Sequence, residues 1–447
     1  MRLAALPRSV RGVAGLLALT LTGGVTSAAV MDGQPAPAVA SAAAPGAVPG
    51  AGGPQKTVSP EDRQLQALVD ARAKAVLSHD RAAFLATVDP ANTRFRRSQA
   101  NVIDALARVP LSTWSYDLGG ANLRAAPVDV DVLRSGGRSR GVQASFRYGL
   151  RGFDNAASGQ PRTLTFTRRK GRWYVSGDKA EALDGLRATF LWEHGPVAVV
   201  RGRRSLVLGH PANAARMRTL AAETDAAVPR VSAVWGRDWS QRVVLVVPST
   251  QRELGSLTGS GDSLDNIAGI AASDATLDRA TVNPARVFLN PTVLRKYDRL
   301  NRKILLDHEI THVAAWRSSG DMVPAWLIEG LAEHTAYLGT GLPRRQLARE
   351  LGRDVRAGRT PRHLAENAAF DGDNPHLDEI YESSWLAVEL LLEKYGRART
   401  LRLYRELGAA AGFDEDVVLE DRLHRVLGTS LKAFTADWRR YLRTSLG

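Results

Sequence analysis

The chain has 447 residues, 44% of them hydrophobic, so it can bury more than one core and is not a single small module. Its formal net charge is +14, but arginine is dispersed among Ala, Gly, Leu and Val, which indicates a solvated basic surface, and we expect no nucleic-acid site. Cysteine is absent, which excludes disulfides and a thiol for lipid attachment.

Residues 1–29 have the layout of a secretory signal. Arg2, Arg8 and Arg11 precede an apolar run, GVAGLLALTLTGGV, which is followed by small residues ending near Ala28 or Ala29. The run is short for a membrane-spanning helix, although an uncleaved segment would serve as an N-terminal membrane tether. We therefore expect a secreted, extracellular protein, or one anchored at the outer face of the cytoplasmic membrane.

Residues 30–58 consist almost entirely of Ala, Pro, Gly and Val. Such a segment is too weakly apolar to form a core, and it predicts a disordered linker.

Residues 59–188 combine an amphipathic helix with strands. EDRQLQALVDARAKAVLSHD has helical periodicity, whereas VQASFRYGLRGF and RTLTFTRRKGRWYVSGD alternate at period two. The pattern predicts an α+β domain in which a helix lies on an antiparallel sheet. It resembles the nuclear-transport-factor-like (ketosteroid-isomerase-like) cone, in particular through ARAKAVLSHDRAAFLATVDP and GRWYVSGD, and this resemblance implies a binding module.

Residues 189–447 begin with short strand-like runs and continue almost wholly as helix. The runs are SLVLGH, RVVLVVPS, NIAGIAAS and ARVFLN, with a helical stretch between the first two. A small mixed sheet followed by a helical subdomain is expected, and the overall fold class is α+β.

The motif HEITH lies inside a helical pattern, YDRLNRKILLDHEITHVAAW. His308 and His312 are four positions apart, so one helix face presents two imidazoles to a single ion, the spacing that Zn²⁺ requires. Glu309 is rotated about 100° from His308 along the helix. It is thereby placed beside the ion as a general base rather than on it.

A second helix, PAWLIEGLAEH, carries Glu329 and Glu333 at i and i+4. Alone, the pair is typical of a solvated helix face. Beside HEITH, Glu329 supplies the third ligand of a catalytic zinc, and Glu333 can accept the free ring N–H of His308. His334 is an alternative third ligand, but at i+5 from Glu329 it points elsewhere.

Together, HEITH at 308–312 and PAWLIEGLAEH at 324–334 resemble the motifs of the gluzincin zinc metallopeptidases, especially the peptidase MA-like branch. The resemblance implies one zinc ion held by His308, His312 and Glu329, with Glu309 as the general base. The Gly-Ala-Met-Glu-Asn signature of aminopeptidase N relatives is replaced by GIAASDA, so aminopeptidase specificity is not supported. The metzincin pattern is excluded by Ala315 and Ser318, where it needs glycine and histidine.

In such peptidases a Tyr or His on a later helix stabilises the oxyanion. Tyr381 is the preferred candidate here, with Tyr395 and His376 as alternatives and packing of the Tyr381 ring as the competing interpretation. ARVFLN resembles the strand at the sheet edge along which such peptidases align extended substrates.

The sequence thus predicts a secreted zinc metallopeptidase that hydrolyses a peptide or protein substrate through a metal-activated water. The alternative is an inactive zinc-binding or ligand-binding envelope protein that uses its N-terminal cone domain.

Overall fold

A computed structural model describes residues 57–128, 130–134, 136–181, 188–259, 264, 267–273, 284–371, 374–412 and 414–447. The expected signal segment, 1–29, and most of the linker, 30–58, lie outside these residues. No helix within the described ranges is long and apolar enough to span a bilayer.

The described α-helices are α1 (Pro60–Leu77), α2 (Arg81–Ala86), α3 (Thr93–Leu106), α4 (Val130–Arg134), α5 (Ala214–Trp235), α6 (Gln251–Thr258), α7 (Pro291–Leu294), α8 (Arg299–Ala315), α9 (Ala325–Tyr337), α10 (Arg344–Leu347), α11 (Arg349–Arg356), α12 (Leu377–Gly408), α13 (Glu415–Arg422) and α14 (Leu431–Leu446). The strands are β1 (Leu111–Asp117), β2 (Ala125–Ala126), β3 (Arg138–Leu150), β4 (Ser158–Arg169), β5 (Arg172–Ala180), β6 (Ala198–Arg201), β7 (Ser205–Gly209), β8 (Val243–Val247), β9 (Gly269–Ser273) and β10 (Ala285–Leu289).

Sheet 1 is antiparallel, with strand order β1-β3-β4-β5 and β2 paired to β3. Helix α1 packs against β1 because its apolar positions, including Leu65, Val69 and Val76, form one buried stripe. A helix on an antiparallel sheet is what the sequence predicts for this part of the chain. The resemblance to the nuclear-transport-factor-like cone stays a prediction.

Sheet 2 is mixed, with strand order β6-β7-β8-β10-β9. β7, β8 and β10 run parallel, whereas β6 and β9 are antiparallel to their neighbours. The four strand-like runs seen in the sequence form β7, β8, β9 and β10, and the α+β class is confirmed. One interpretation is wrong: ARVFLN forms β10, which lies between β8 and β9, so β9 is the edge strand on that side.

Both faces of sheet 2 are covered. Successive side chains of β8 point to opposite faces: Val243 and Leu245 join a core with α5, α8, α9 and α12, whereas Val244 joins the core of sheet 1. This burial on two sides explains why β7, β8 and β10 are buried along their whole length. The predicted boundary at 188/189 is therefore crossed by a shared hydrophobic core.

The C-terminal helices complete the second core. Fully buried side chains there include Leu386 and Leu391 of α12 and Phe434 and Trp438 of α14. Helix α12 changes direction at Gly396, where φ is 79°, a left-handed conformation that glycine adopts without steric cost.

Candidate metal centre

Helix α8 carries the HEITH motif into the interior. It begins at an Asp298 cap, whose Oδ1 accepts a hydrogen bond from the Asn301 amide at 2.8 Å. His308 and His312 are 0% and 3% exposed, and their ring centroids are 4.7 Å apart. One helical turn thus presents two buried imidazoles to the same point, as their spacing predicts.

Helix α9 presents its carboxylates to the same point. Its first amide, on Ala325, donates to Asn367 Oδ1 at 2.8 Å, which satisfies a helix terminus that has no side-chain cap of its own. Glu329 and Glu333 are 3% and 1% exposed. The pair is therefore not a solvated helix face.

The atoms of His308, His312 and Glu329 that could hold an ion form a small triangle. The two Nε2 atoms are 3.0 Å apart, and Glu329 Oε2 lies 3.3 Å from His308 Nε2 and 3.5 Å from His312 Nε2. Ligands at ~2.0–2.1 Å from a tetrahedral zinc lie about 3.3–3.4 Å from one another. The three atoms therefore have the separations of three corners of a zinc tetrahedron.

The charges of the cluster also fit a cation. Three carboxylates, from Glu309, Glu329 and Glu333, are buried around two imidazoles. Several of their atoms have no hydrogen-bond partner among the described residues: His308 Nδ1, both Glu309 oxygens, Glu329 Oε2 and Glu333 Oε2. Buried carboxylates need a counter-charge, and Zn²⁺ takes imidazole nitrogen and carboxylate oxygen, so the donor set fits this ion.

Glu309 lies beside the triangle, against edge strand β9. A Cβ atom added at Gly269 would come within 3.0 Å of Glu309 Cγ and Oε1, so the absence of a side chain at Gly269 leaves room for the carboxylate. Burial, and to a smaller extent the charge of Glu329, raises the pKa of Glu309 against the opposing effect of the two histidines. A buried carboxyl with a raised pKa suits proton transfer.

Glu333 lies behind His308. Its Oε1 atom is 3.3 Å from His308 Nδ1, the position from which a carboxylate orients a ligand imidazole. Burial alone would lower the pKa of His308, but Glu329 and Glu333 raise it to about 10. The surroundings thus stabilise positive charge at this point of the interior.

Tyr381 comes from α12 and completes one wall. It is 2% exposed, and its ring centroid is 6.4 Å from that of His308. Burial, followed by the carboxylates of Glu329, Glu333 and Glu309, raises its pKa well above the ordinary value. The hydroxyl therefore stays protonated and available as a hydrogen-bond donor.

The other sequence candidates lie elsewhere. Tyr395 is fourteen residues further along α12, or about 21 Å of helix, and the side chain of His376 is 73% exposed at its start. His334 Nδ1 lies 2.5 Å from Glu389 Oε1, so this side chain is turned towards α12. The alternative of His334 as third ligand is not supported.

Three residues near the site were not singled out from the sequence. Arg230 of α5 forms a bidentate salt bridge, with bonds of 2.7 and 2.8 Å, to Asp307. Asp307 is fully buried and directly precedes His308 in the chain. Tyr297 is buried, and its burial, followed by the charges of Glu309 and Glu333, raises its pKa. The third residue is Gly269, which adjoins Glu309 as described above. Arg230 and Gly269 come from distant segments, whereas Tyr297 lies just before α8, and no local pattern marks any of the three.

Comparison with known proteins gives weak similarity only. No family model and no curated protein matches the chain. Two solved structures of yeast LTA4 hydrolase are similar to it. The complex with bestatin has a TM-score of 0.33 and 16% identity, covering 57% of this chain and 40% of that one. The native protein has a TM-score of 0.36 and 13% identity, covering 76% and 61%. The chain thus spans less than two thirds of these proteins.

Proposed function

We propose that the protein is a zinc-dependent peptidase of the gluzincin type. The observation that carries this proposal is the triangle of His308 Nε2, His312 Nε2 and Glu329 Oε2, with a fourth buried group, Glu309, beside it. A purely structural zinc site is usually closed by four protein ligands and has no use for an adjacent base. Three protein ligands, with a further carboxylate beside the ion that does not bind it, are typical of a hydrolytic zinc centre.

When bound, zinc supplies Lewis acidity, which polarises a scissile carbonyl and makes water easier to deprotonate near neutral pH. Glu309 accepts the proton from the attacking water and later delivers it to the leaving amine. Tyr381 donates a hydrogen bond from its hydroxyl to the carbonyl oxygen, on which negative charge develops as water attacks the carbonyl carbon. Glu333 holds the ring of His308 in place from behind.

The substrate follows from the same site. A peptide fits because β9 is the last strand of sheet 2 among the described residues and passes Glu309 at Gly269, so an extended chain that pairs with this strand would lie beside the base. Export through residues 1–29 completes the proposal, which makes the protein a secreted or membrane-tethered peptidase. Support for export comes from the sequence of that segment alone.

Two variants test this function. Glu309→Gln keeps the ligand triangle and removes the base, so we expect unchanged zinc content and hydrolysis of casein or a peptide reduced by about 10²–10⁴-fold. Glu329→Ala removes a ligand and is expected to lower zinc occupancy together with activity. Unchanged hydrolysis in Glu309→Gln would reject the base role. A zinc-loaded wild type that cleaves no peptide would favour the alternative of an inactive zinc-binding protein.

A further inference from the structure

Lys303 joins the two helices that supply the candidate metal ligands. It lies in the first half of α8, five positions before His308, or about 7.5 Å along the helix axis. Its Nζ atom donates to the carbonyl oxygens of Ala336 and Leu338, at 2.8 and 2.6 Å. Ala336 is in the last turn of α9, and Leu338 is the C-terminal capping residue of that helix. Lys303 therefore connects the helix of the histidines to the end of the helix that carries Glu329.

The acceptors of Lys303 are groups that an α-helix cannot satisfy by itself. The last carbonyls of a helix have no amide within the helix to bond, and they carry the negative end of the helix dipole. An ammonium group supplies both hydrogen bonds and positive charge at this place. The side chain of Lys303 is only 20% exposed, so most of it is shielded from competing water.

Asp307 fixes the direction of the ammonium group. Its Oδ2 atom lies 3.0 Å from Lys303 Nζ, one helical turn along α8, and its side chain is fully buried. Arg230 of α5 holds the same carboxylate through both oxygens. Lys303 is thus held between a buried carboxylate and the carbonyls of α9, and this carboxylate belongs to the residue directly before His308.

The contacts between α8 and α9 follow one another in opposite order along the two helices. Lys303, near the start of α8, meets the end of α9. Further along α8, His308 contacts both Glu329 and Glu333. His312, one turn later, contacts Glu329. The helices therefore run antiparallel, and the bonds of Lys303 fix how far α9 extends along α8.

A metal centre shared by two helices needs this relation to be set closely. Sliding one helix by a single residue moves its side chains by about 1.5 Å along the axis and by about 100° around it. Zinc–ligand distances vary by only about 0.2 Å. Two directional hydrogen bonds at the end of α9 oppose such sliding, whereas apolar packing has no preferred direction.

We propose that Lys303 is a positioning residue for the metal centre. By holding the end of α9, it places Glu329 at the distance from His308 and His312 that a single ion requires. Its hydrogen bonds go to main-chain carbonyls, so it acts on the position of the helix. This inference rests on the proposed function, because it takes these three side chains as the ligands of zinc.

Lys303→Met tests this role, because methionine keeps an unbranched side chain of similar length but has no charge and donates no hydrogen bond. Competition with a chromogenic chelator measures the zinc affinity of the full chain, and the visible absorption of the cobalt-substituted protein reports the geometry of the ligands. We expect zinc to bind about 10–100-fold more weakly, the range typical of changes to residues that support metal ligands. The cobalt absorption bands should shift or lose intensity.

Arg302→Met is the matched control. Arg302 directly precedes Lys303, and its side chain is 21% exposed. It bonds Glu223 of α5 and the carbonyl of Tyr297, which lies just before α8. These bonds join α8 to α5 and to the preceding segment, not to α9. We therefore expect a lower melting temperature with unchanged zinc affinity and an unchanged cobalt spectrum.

A role in stability alone predicts that both variants melt earlier and that both bind zinc as the wild type does. That result, or equal losses of zinc affinity in the two variants, would overturn the proposal. If Lys303→Met does not fold, the same comparison is made with Lys303→Gln and Arg302→Gln, because glutamine is uncharged but still polar. A wild type that binds no zinc at the three ligand side chains would overturn the proposed function as well, whereas equal zinc affinity in the wild type and both variants would overturn only the role of Lys303.

Discussion

At the residue scale, two glutamates of one buried cluster differ in proton affinity. Burial favours the protonated form of both, but His312 and His308 lower the pKa of Glu329, whereas burial raises that of Glu309. A carboxyl that stays ionised suits a ligand, and one that can take up a proton suits a base. The division of roles between Glu329 and Glu309 thus follows from their surroundings.

Tyr381→Phe tests the oxyanion donor. We expect kcat for peptide hydrolysis to fall roughly 10²–10³-fold with KM nearly unchanged, because the hydroxyl acts mainly on charge that develops in the transition state. Tyr395→Phe removes a hydroxyl from the same helix, fourteen residues further along, and should leave kcat unchanged. Equal kcat in the Tyr381 variant and the wild type would leave this side chain a packing role only.

The residues that could be predicted are those set by local geometry. His308, Glu309 and His312 lie on one helix, so their spacing fixes their relation before any tertiary contact forms. Gly269 contacts Glu309 because β9 lies at the end of sheet 2, beside α8. Sequence periodicity cannot predict such a contact between distant segments.

At the element scale, the position of Glu329 depends on how closely α9 approaches α12. Gly330 makes this approach possible, because a Cβ atom there would collide with the carbonyl oxygen of Ser384. Backbone cannot move aside as the end of a flexible side chain can. The contact thereby fixes the distance of α9, and of its carboxylates, from the helix that carries Tyr381.

Gly330→Ala is therefore expected to lower both zinc occupancy and the melting temperature, although alanine ordinarily favours a helix over glycine by about 0.5–1 kcal/mol. Gly352→Ala in α11 is the matched control, because its added Cβ would meet only the Arg356 side chain, at 3.1 Å from Nη1. Zinc content by mass spectrometry and thermal unfolding measure the two effects. A Gly330 variant that resembles the control in both would show that the helix contact does not position Glu329.

The order of the strands in sheet 2 could not be predicted from the sequence. The runs ARVFLN and NIAGIAAS were both recognisable as strands, since each is a short, apolar stretch. Which of them forms the sheet edge depends on the antiparallel pairing of β9 to β10, a nonlocal contact. The sequence therefore predicts both strands but not that β9, rather than β10, lies at the end of the sheet beside the site.

At the scale of the whole molecule, the N-terminal part is joined to the sheet that supports the site. Arg286 of β10 makes two 2.7 Å bonds to Asp154, which lies between β3 and β4, and both side chains are at most 2% exposed. A buried pair of this kind is costly to break, because removing one partner leaves the other charge uncompensated. Together with the shared core, it ties the two parts into one structure.

Asp154→Ala is expected to lower the free energy of unfolding by roughly 3–5 kcal/mol, because the buried Arg286 guanidinium would lose both of its bonds to Asp154. Asp104→Ala is the control: it breaks the Arg81–Asp104 pair, in which both side chains are 55% exposed, and should have little measurable effect. Chemical denaturation of both variants measures the difference. A cost no larger for Asp154 than for Asp104 would mean that the buried pair does not hold the two parts together.

The central claim is that two imidazoles and one carboxylate hold a single ion. Diffraction from crystals of the zinc-loaded protein, recorded on both sides of the zinc absorption edge, tests it directly. We expect one anomalous peak within about 2.3 Å of His308 Nε2, His312 Nε2 and a Glu329 oxygen. A peak at another place, or no peak among these three side chains, would contradict it.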